Sequence, residues 1–303
     1  MSPARYLALG TSAWLMLAAA GAHAQTMPAR QLIVSGDLVG AYNQLGALAS
    51  LNLRYQQRLY ESQSAAFTEN YWGAAIQSQL SPAFALNGGV VELAPATFFR
   101  LTAGYHLITY FGTFNSLKTF EDCSGSLDKE DPRCKFKLPI TPLTGNEADY
   151  GHRAFLAARL RAKVGPVVLL ENATVERSWF REAWDAGPQK AYWFNELHLV
   201  PQERADELVL NSLSLLYEAL PERGRGDLNL LVGLSERLAW ARGTDYLMHR
   251  VGVMAIGRCP EWNGVRDAAL GLIVEWYLAD RFRRGAVPFV GLLIAGSTPN
   301  LLE

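Results

Sequence analysis

An all-β chain, folded as an antiparallel up-and-down transmembrane β-barrel of about ten to twelve strands, is what this sequence predicts, and three observations carry the prediction. The chain opens with an export leader, its long segments repeat apolar residues at every second position, and its connections come in two sizes. After the leader there is no run of 18 or more uncharged apolar residues, which excludes helical spans. A membrane-spanning chain without such helices must close into a barrel, because lipid cannot satisfy the hydrogen-bonding groups along an open sheet edge.

The leader reads "MSPARYLALGTSAWLMLAAAGAHAQT": one basic residue, Arg5, then the apolar run "AWLMLAAA", then the small-residue site "AHA". This layout predicts cleavage after Ala24 and a single domain over 25–303. Losing Arg5 leaves 27 Lys and Arg against 29 Asp and Glu. So even a balance gives no basic field, and nucleic acid is excluded as a partner.

A half-buried strand alternates with period two, whereas a helix repeats at three and four. The first clear strand is "LGALASLNLRYQQRLY", with Leu45, Ala47, Ala49, Leu51, Leu53, Tyr55 and Leu59 on one face and Asn52, Arg54 and Arg58 on the other. "RAFLAARLRAKV" sets Ala154, Leu156, Leu160 and Val164 against Arg153, Arg159, Arg161 and Lys163. "DLNLLVGLSERLAWAR" sets Leu228, Leu230, Val232, Leu234, Leu238 and Trp240, interrupted by Glu236, against Asn229, Ser235 and Arg237. In "AALGLIVEWYLADR" the apolar face runs from Ala268 to Leu278, and Glu275 falls on the smaller, more polar face. Weaker alternation marks 32–42, 84–94, 98–111, 245–258 and 286–296, while 167–180 and 206–217 alternate poorly, Glu171 breaking one face of the first.

Short connections are expected at "AP" (94–95), "GP" (165–166), "RGT" (242–244) and "RRG" (283–285). The longest loop covers 113–150, and "ESQSAAFTEN" and "CPEWNGVRD" are intermediate. Aromatics gather near strand ends, among them Trp72, Phe98, Trp179, Trp240 and Trp276, as an interfacial girdle requires.

With the "AHA" leader, segments such as "LASLNLRYQQRLY" and "AALGLIVEWYLADR", and two sizes of connection, the chain resembles bacterial outer-membrane β-barrel proteins. The resemblance is one of pattern and covers almost the whole mature chain. It implies a fold and a compartment, the outer membrane of a Gram-negative cell, and outer-membrane lipid as a partner. The end "GSTPNLLE", with Phe289 as the last aromatic, departs from the aromatic ending common in such barrels.

The expected function is passive: a porin-like narrow or plugged pore, or a protein that displays its loops, with no catalytic activity, cofactor or metal. Candidate partners are small anionic solutes or an extracellular molecule at the loops. The expected lumen lining is Arg54, Arg58, Arg100, Arg159, Arg161, Lys163 and Arg237, with Glu92 and Glu275 among them. Either these cations line open water and draw anions by their field, or they pair with the acids and with loop carboxylates such as Asp122, Asp128, Glu130 and Asp131, filling a narrow barrel. Cys123 and Cys134 are expected to form a disulfide that staples the longest loop, leaving Cys259 in another loop. Two alternatives stay open. One is a soluble periplasmic barrel with its apolar faces inward around an apolar ligand; the other is an outer-membrane lipid hydrolase using His106 or His249.

Overall fold

The computed structural model describes residues 27–43, 46–113, 119–120, 148–180, 192–195, 197–221, 228–280 and 287–302. The leader, the Cys123–Cys134 pair and the "RRG" turn lie outside them. The described residues form fifteen strands: β1 (Arg30–Tyr42), β2 (Gly46–Arg58), β3 (Tyr71–Leu80), β4 (Phe84–Ala96), β5 (Phe99–Phe111), β6 (Thr119–Phe120), β7 (Ala148–Val164), β8 (Val167–Phe180), β9 (Tyr192–Asn195), β10 (Val200–Glu203), β11 (Ala205–Leu220), β12 (Asn229–Ala241), β13 (Tyr246–Trp262), β14 (Val265–Ala279) and β15 (Phe289–Ser297). Twelve of them close into one antiparallel up-and-down barrel, each strand beside its neighbour in the chain and β15 beside β1. The other three, β6, β9 and β10, form a small separate sheet.

Closure follows from the backbone. Val39 pairs with Leu48 on one side and Leu293 on the other, so β1 has no open edge. Past Ser297 the chain stays on β1: the amides of Thr298 and Leu301 donate to the carbonyls of Val34 and Leu32, and Asn300 Oδ1 accepts from the Leu32 amide at 3.0 Å.

Twelve strands put the start of β1 and the end of β15 on the same rim, here the lower rim. The upper rim carries the two longest connections, 112–147 and 181–204. The expected separation of short turns from long loops is incomplete. The lower rim has turns at 97–98, 165–166 and 263–264, but also the connections 59–70 and 221–228.

Three further expectations are corrected. "AP" lies within β4, where the ladder shifts between Leu93 and Ala96, and the turn comes at Thr97 and Phe98. "CPEWNGVRD" is no loop: β13 runs through Cys259 to Trp262, and Asn263 and Gly264 turn with φ of 50° and 82°. Positive φ at both central residues is the primed turn whose twist matches a hairpin. The segment "YWGAAIQSQL" forms β3, which the alternation did not mark, bringing the barrel to the upper end of the expected count.

Side chains alternate through the wall, and the apolar set points out. Ile76, Leu51, Leu234, Leu270, Leu272, Leu292 and Ile294 are all exposed, Ile76 at 68%. Their inward neighbours include Asn52, Ser235 and Glu275, which are buried. The soluble alternative, with apolar faces turned inward, is therefore not the arrangement adopted. Outward aromatics form two belts: Trp72, Phe98, Tyr217 and Trp262 near the lower rim, and Tyr42, Phe111, Trp240 and Trp276 toward the upper. An apolar band between aromatic girdles is the surface a bilayer solvates. In water the same contiguous band would exceed the patches soluble monomers expose.

Candidate functional site in the lumen

Because inward positions recur every second residue, register alone decides which inward charges meet. At the lower end, Arg54 Nε lies 3.4 Å from Glu92 and Arg100 Nη1 3.9 Å from it, and the Tyr71 hydroxyl donates to Glu92 Oε2 at 3.2 Å. Arg161 Nη2 reaches Glu69 at 2.9 Å, and Lys163 Nζ reaches Glu218 at 2.9 Å. Arg58 Nη2 bonds Glu61 at 2.6 Å, and its Nη1 donates to the Met27 carbonyl at 2.8 Å. Arg159 is buried, and among the described residues no carboxylate comes within 4 Å of it.

At mid-height Glu275, fully buried, takes Arg237 Nε at 3.0 Å, the Ser235 hydroxyl at 2.9 Å and Arg250 Nε at 3.5 Å. Gly252 stands directly opposite Glu275, and a Cβ there would come within 1.9 Å of the Val274 carbonyl oxygen. The glycine is what lets β13 approach β14 beside the carboxylate. Arg250 also stacks over Phe289, its guanidinium carbon 4.1 Å from the ring centre. On the far wall Glu176 bridges Arg153 Nε at 2.7 Å and His198 Nε2 at 3.1 Å. His106 Nδ1 accepts from Arg153 at 3.2 Å, and its Nε2 donates to Gln77 at 3.1 Å. A cavity of about 60 Å³ remains between these two networks, lined by His198, Thr174, Arg237 and Arg250.

Toward the upper rim the interior turns apolar. Trp193 and Phe194 of β9, with Leu197, Leu199 and Val200, are buried in one cluster with Tyr110, Phe180, Tyr246 and Met248 from the wall. The Trp193 and Phe180 rings meet edge to face at 4.7 Å. The small sheet is tied down through polar contacts as well, with Thr244 Oγ1 donating to the Pro201 carbonyl at 2.9 Å. Sequence alternation did not reveal this inner layer, because "YWFNELHLVPQE" has no strand of barrel length.

All nine expected lining residues thus occupy inward positions, but they do not form one continuous basic track. Six of the seven cations, all but Arg159, stand beside carboxylates supplied by the wall and by the lower connection 59–70. Asp122, Asp128, Glu130 and Asp131 lie outside the described residues. Missing from the expected lining were Arg153, Glu176, His198 and Arg250. The first shares the inward parity of Arg159; the others could be placed only with the register in hand.

Outside the barrel, two polar pairs interrupt the apolar band. Glu171 of β8 accepts a hydrogen bond from Asn211 of β11, and His249 Nε2 of β13 donates to Glu236 of β12 at 2.8 Å. Each pair joins adjacent strands.

A comparison with protein families finds no match, and neither does one with curated proteins. Solved structures do match. The β domain of the Bordetella autotransporter Brka is 10% identical with a TM-score of 0.43, covering 88% of this chain and 99% of that one. LpxR from Salmonella typhimurium is 10% identical with a TM-score of 0.38, over 87% and 99%. OmpT, an outer membrane protein of Vibrio cholerae, is 8% identical with a TM-score of 0.34, over 89% and 96%.

Proposed function

We propose that this protein is an integral outer-membrane barrel whose lumen is closed to solutes, and that it acts through the loops of its upper rim rather than by conduction or catalysis. The observation that carries this reading is the filled interior. Paired charges occupy the lower and middle levels, and an apolar layer centred on Trp193, Phe194 and Leu199 lies above them. A hydrated solute crossing that layer would have to shed its water against apolar side chains, which polar groups resist strongly.

The test has two steps. Outer-membrane fractionation, with gel mobility of unheated and boiled samples, is expected to place the mature protein in that membrane and to show a shift on boiling. In planar bilayers the folded protein is then expected to give no sustained conductance steps. Steady porin-like steps would refute the closed lumen, and recovery in the soluble periplasm would refute the membrane assignment.

A second reading, a lipid hydrolase, is favoured by the hydrogen bond between His249 and Glu236 on the lipid-facing surface, a base held by an orienting acid. The outward positions of β11–β14 carry no Ser or Thr, so the nucleophile there would be water. His106 is buried in the lumen, away from lipid. This reading expects His249→Ala to abolish release of fatty acid from outer-membrane lipid vesicles, with His106→Ala active. Equal release by wild type and the His249 variant would remove it.

A further inference from the structure

The geometry points to a binding site for a phosphate-class oxyanion at the lower mouth of the lumen, built around Arg159. Arg159 and Arg100 are directly paired across β7 and β5, and Arg161 follows on the same inward face. All three guanidinium-bearing residues line one narrow cleft of about 20 Å³, together with Glu69, Tyr71 and the turn at Thr97 and Phe98.

Like charges set directly opposite on neighbouring strands destabilise a sheet. Here the arrangement sits in a poorly solvated place: Arg159 is only 8% exposed, yet among the described residues it has no carboxylate within ion-pair distance. The two carboxylates nearby are engaged elsewhere. Glu92 takes Arg54, Arg100 and the Tyr71 hydroxyl, and Glu69 takes Arg161. Glu69 still attracts Arg159 at longer range. A buried cation without such a partner carries a large desolvation penalty, and an anion in the cleft relieves it.

The ligand class follows from donor geometry. A guanidinium offers its N–H groups as a planar fork that grips two oxygens at once. A carboxylate has just two oxygens and would satisfy one fork. A tetrahedral phosphate has enough to meet Arg159 together with the flanking Arg100 and Arg161. Glu69 stands at the same cleft as the repulsive element, limiting affinity. The phosphate could be free in solution or belong to a lipid headgroup at the rim, where the two-residue turn at 97–98 leaves the wall low.

The full mature chain, folded in a phosphate-free sugar detergent, is titrated calorimetrically with inorganic phosphate and, separately, with short-chain phosphatidic acid. Saturable binding of inorganic phosphate, weakened at least tenfold in Arg159→Gln, is the expected result for a free anion. Binding of phosphatidic acid alone, with the same loss, assigns the site to a headgroup. Glu69→Gln is expected to tighten binding several-fold, a change in the opposite direction that misfolding could not produce. Heat-shifted gel mobility confirms that each variant is folded. Failure of both ligands to bind, or unchanged affinity in a folded Arg159→Gln protein, would overturn the proposal.

Discussion

Replacing Glu275 by Ala is expected to destabilise the folded barrel by about 3–5 kcal/mol, the usual result of deleting one member of a buried ion network. The carboxylate is completely buried and is shared by Arg237, Arg250 and Ser235. Removing it takes away the carboxylate shared by two guanidiniums whose side chains are 12% and 3% exposed. The measurement is equilibrium unfolding in lipid vesicles by denaturant, followed by tryptophan fluorescence, with the midpoint shifting at constant slope. A companion variant separates the lost attraction from the cost of the buried cations that remain. Substituting Arg237→Met, Arg250→Met and Glu275→Leu together removes these three charges, and such replacements are often close to neutral. A loss below about 1 kcal/mol for Glu275→Ala alone would contradict the burial and pairing described here.

The second large effect lies on the other face of the same strand. Leu272 stands at the centre of β14, outward, between Ala255 of β13 and Leu292 of β15. Leu272→Arg is expected to cost about 2–4 kcal/mol in a bilayer, the penalty for a cation at the midplane. Val164→Arg, at the lower end of β7 where the residue is already 78% exposed, is expected to cost only about 0–1 kcal/mol, as near an interface. Both substitutions place the same side chain on the outer surface, so the difference between them reads depth alone. Equal costs for the two would mean that the apolar band is not solvated by lipid. In a soluble protein either change would fall within the small range of surface substitutions.

How much of this was legible before folding depends on contrast between the two faces of each strand. β14 could be read because large apolar residues alternate with Gly271, Glu275 and Tyr277, and the buried face of Glu275 followed from parity alone. β3 escaped because Ala74 and Ser78 dilute its outward face, leaving Trp72, Ile76 and Leu80 too sparse to stand out. In β8 and β11 the alternation is broken by Glu171 and Asn211, which do point outward. They are tolerated there because each meets the other's hydrogen-bonding need. The hairpin after Trp262 did carry a local signal, the dipeptide Asn263–Gly264, which outweighs the polar composition around it. Lumen chemistry was legible only as a set of inward cations. That Arg159 faces Arg100, or that Glu176 lies within reach of Arg153, depends on strand register, which composition does not encode.

The seam between β1 and β15 also bears on how the molecule is made. Leu38 of β1 pairs with Ile294 of β15, so the ladder that closes the barrel joins segments from opposite ends of the barrel sequence. Contacts so distant along the chain must be reached at the expense of loop-closure entropy before they yield any stabilisation, which slows assembly. Until that moment two strand edges stay unpaired and open to other chains. An assembling molecule therefore needs protection of both edges until β15 arrives, and a chain stalled before that strand would be prone to aggregation rather than partly functional.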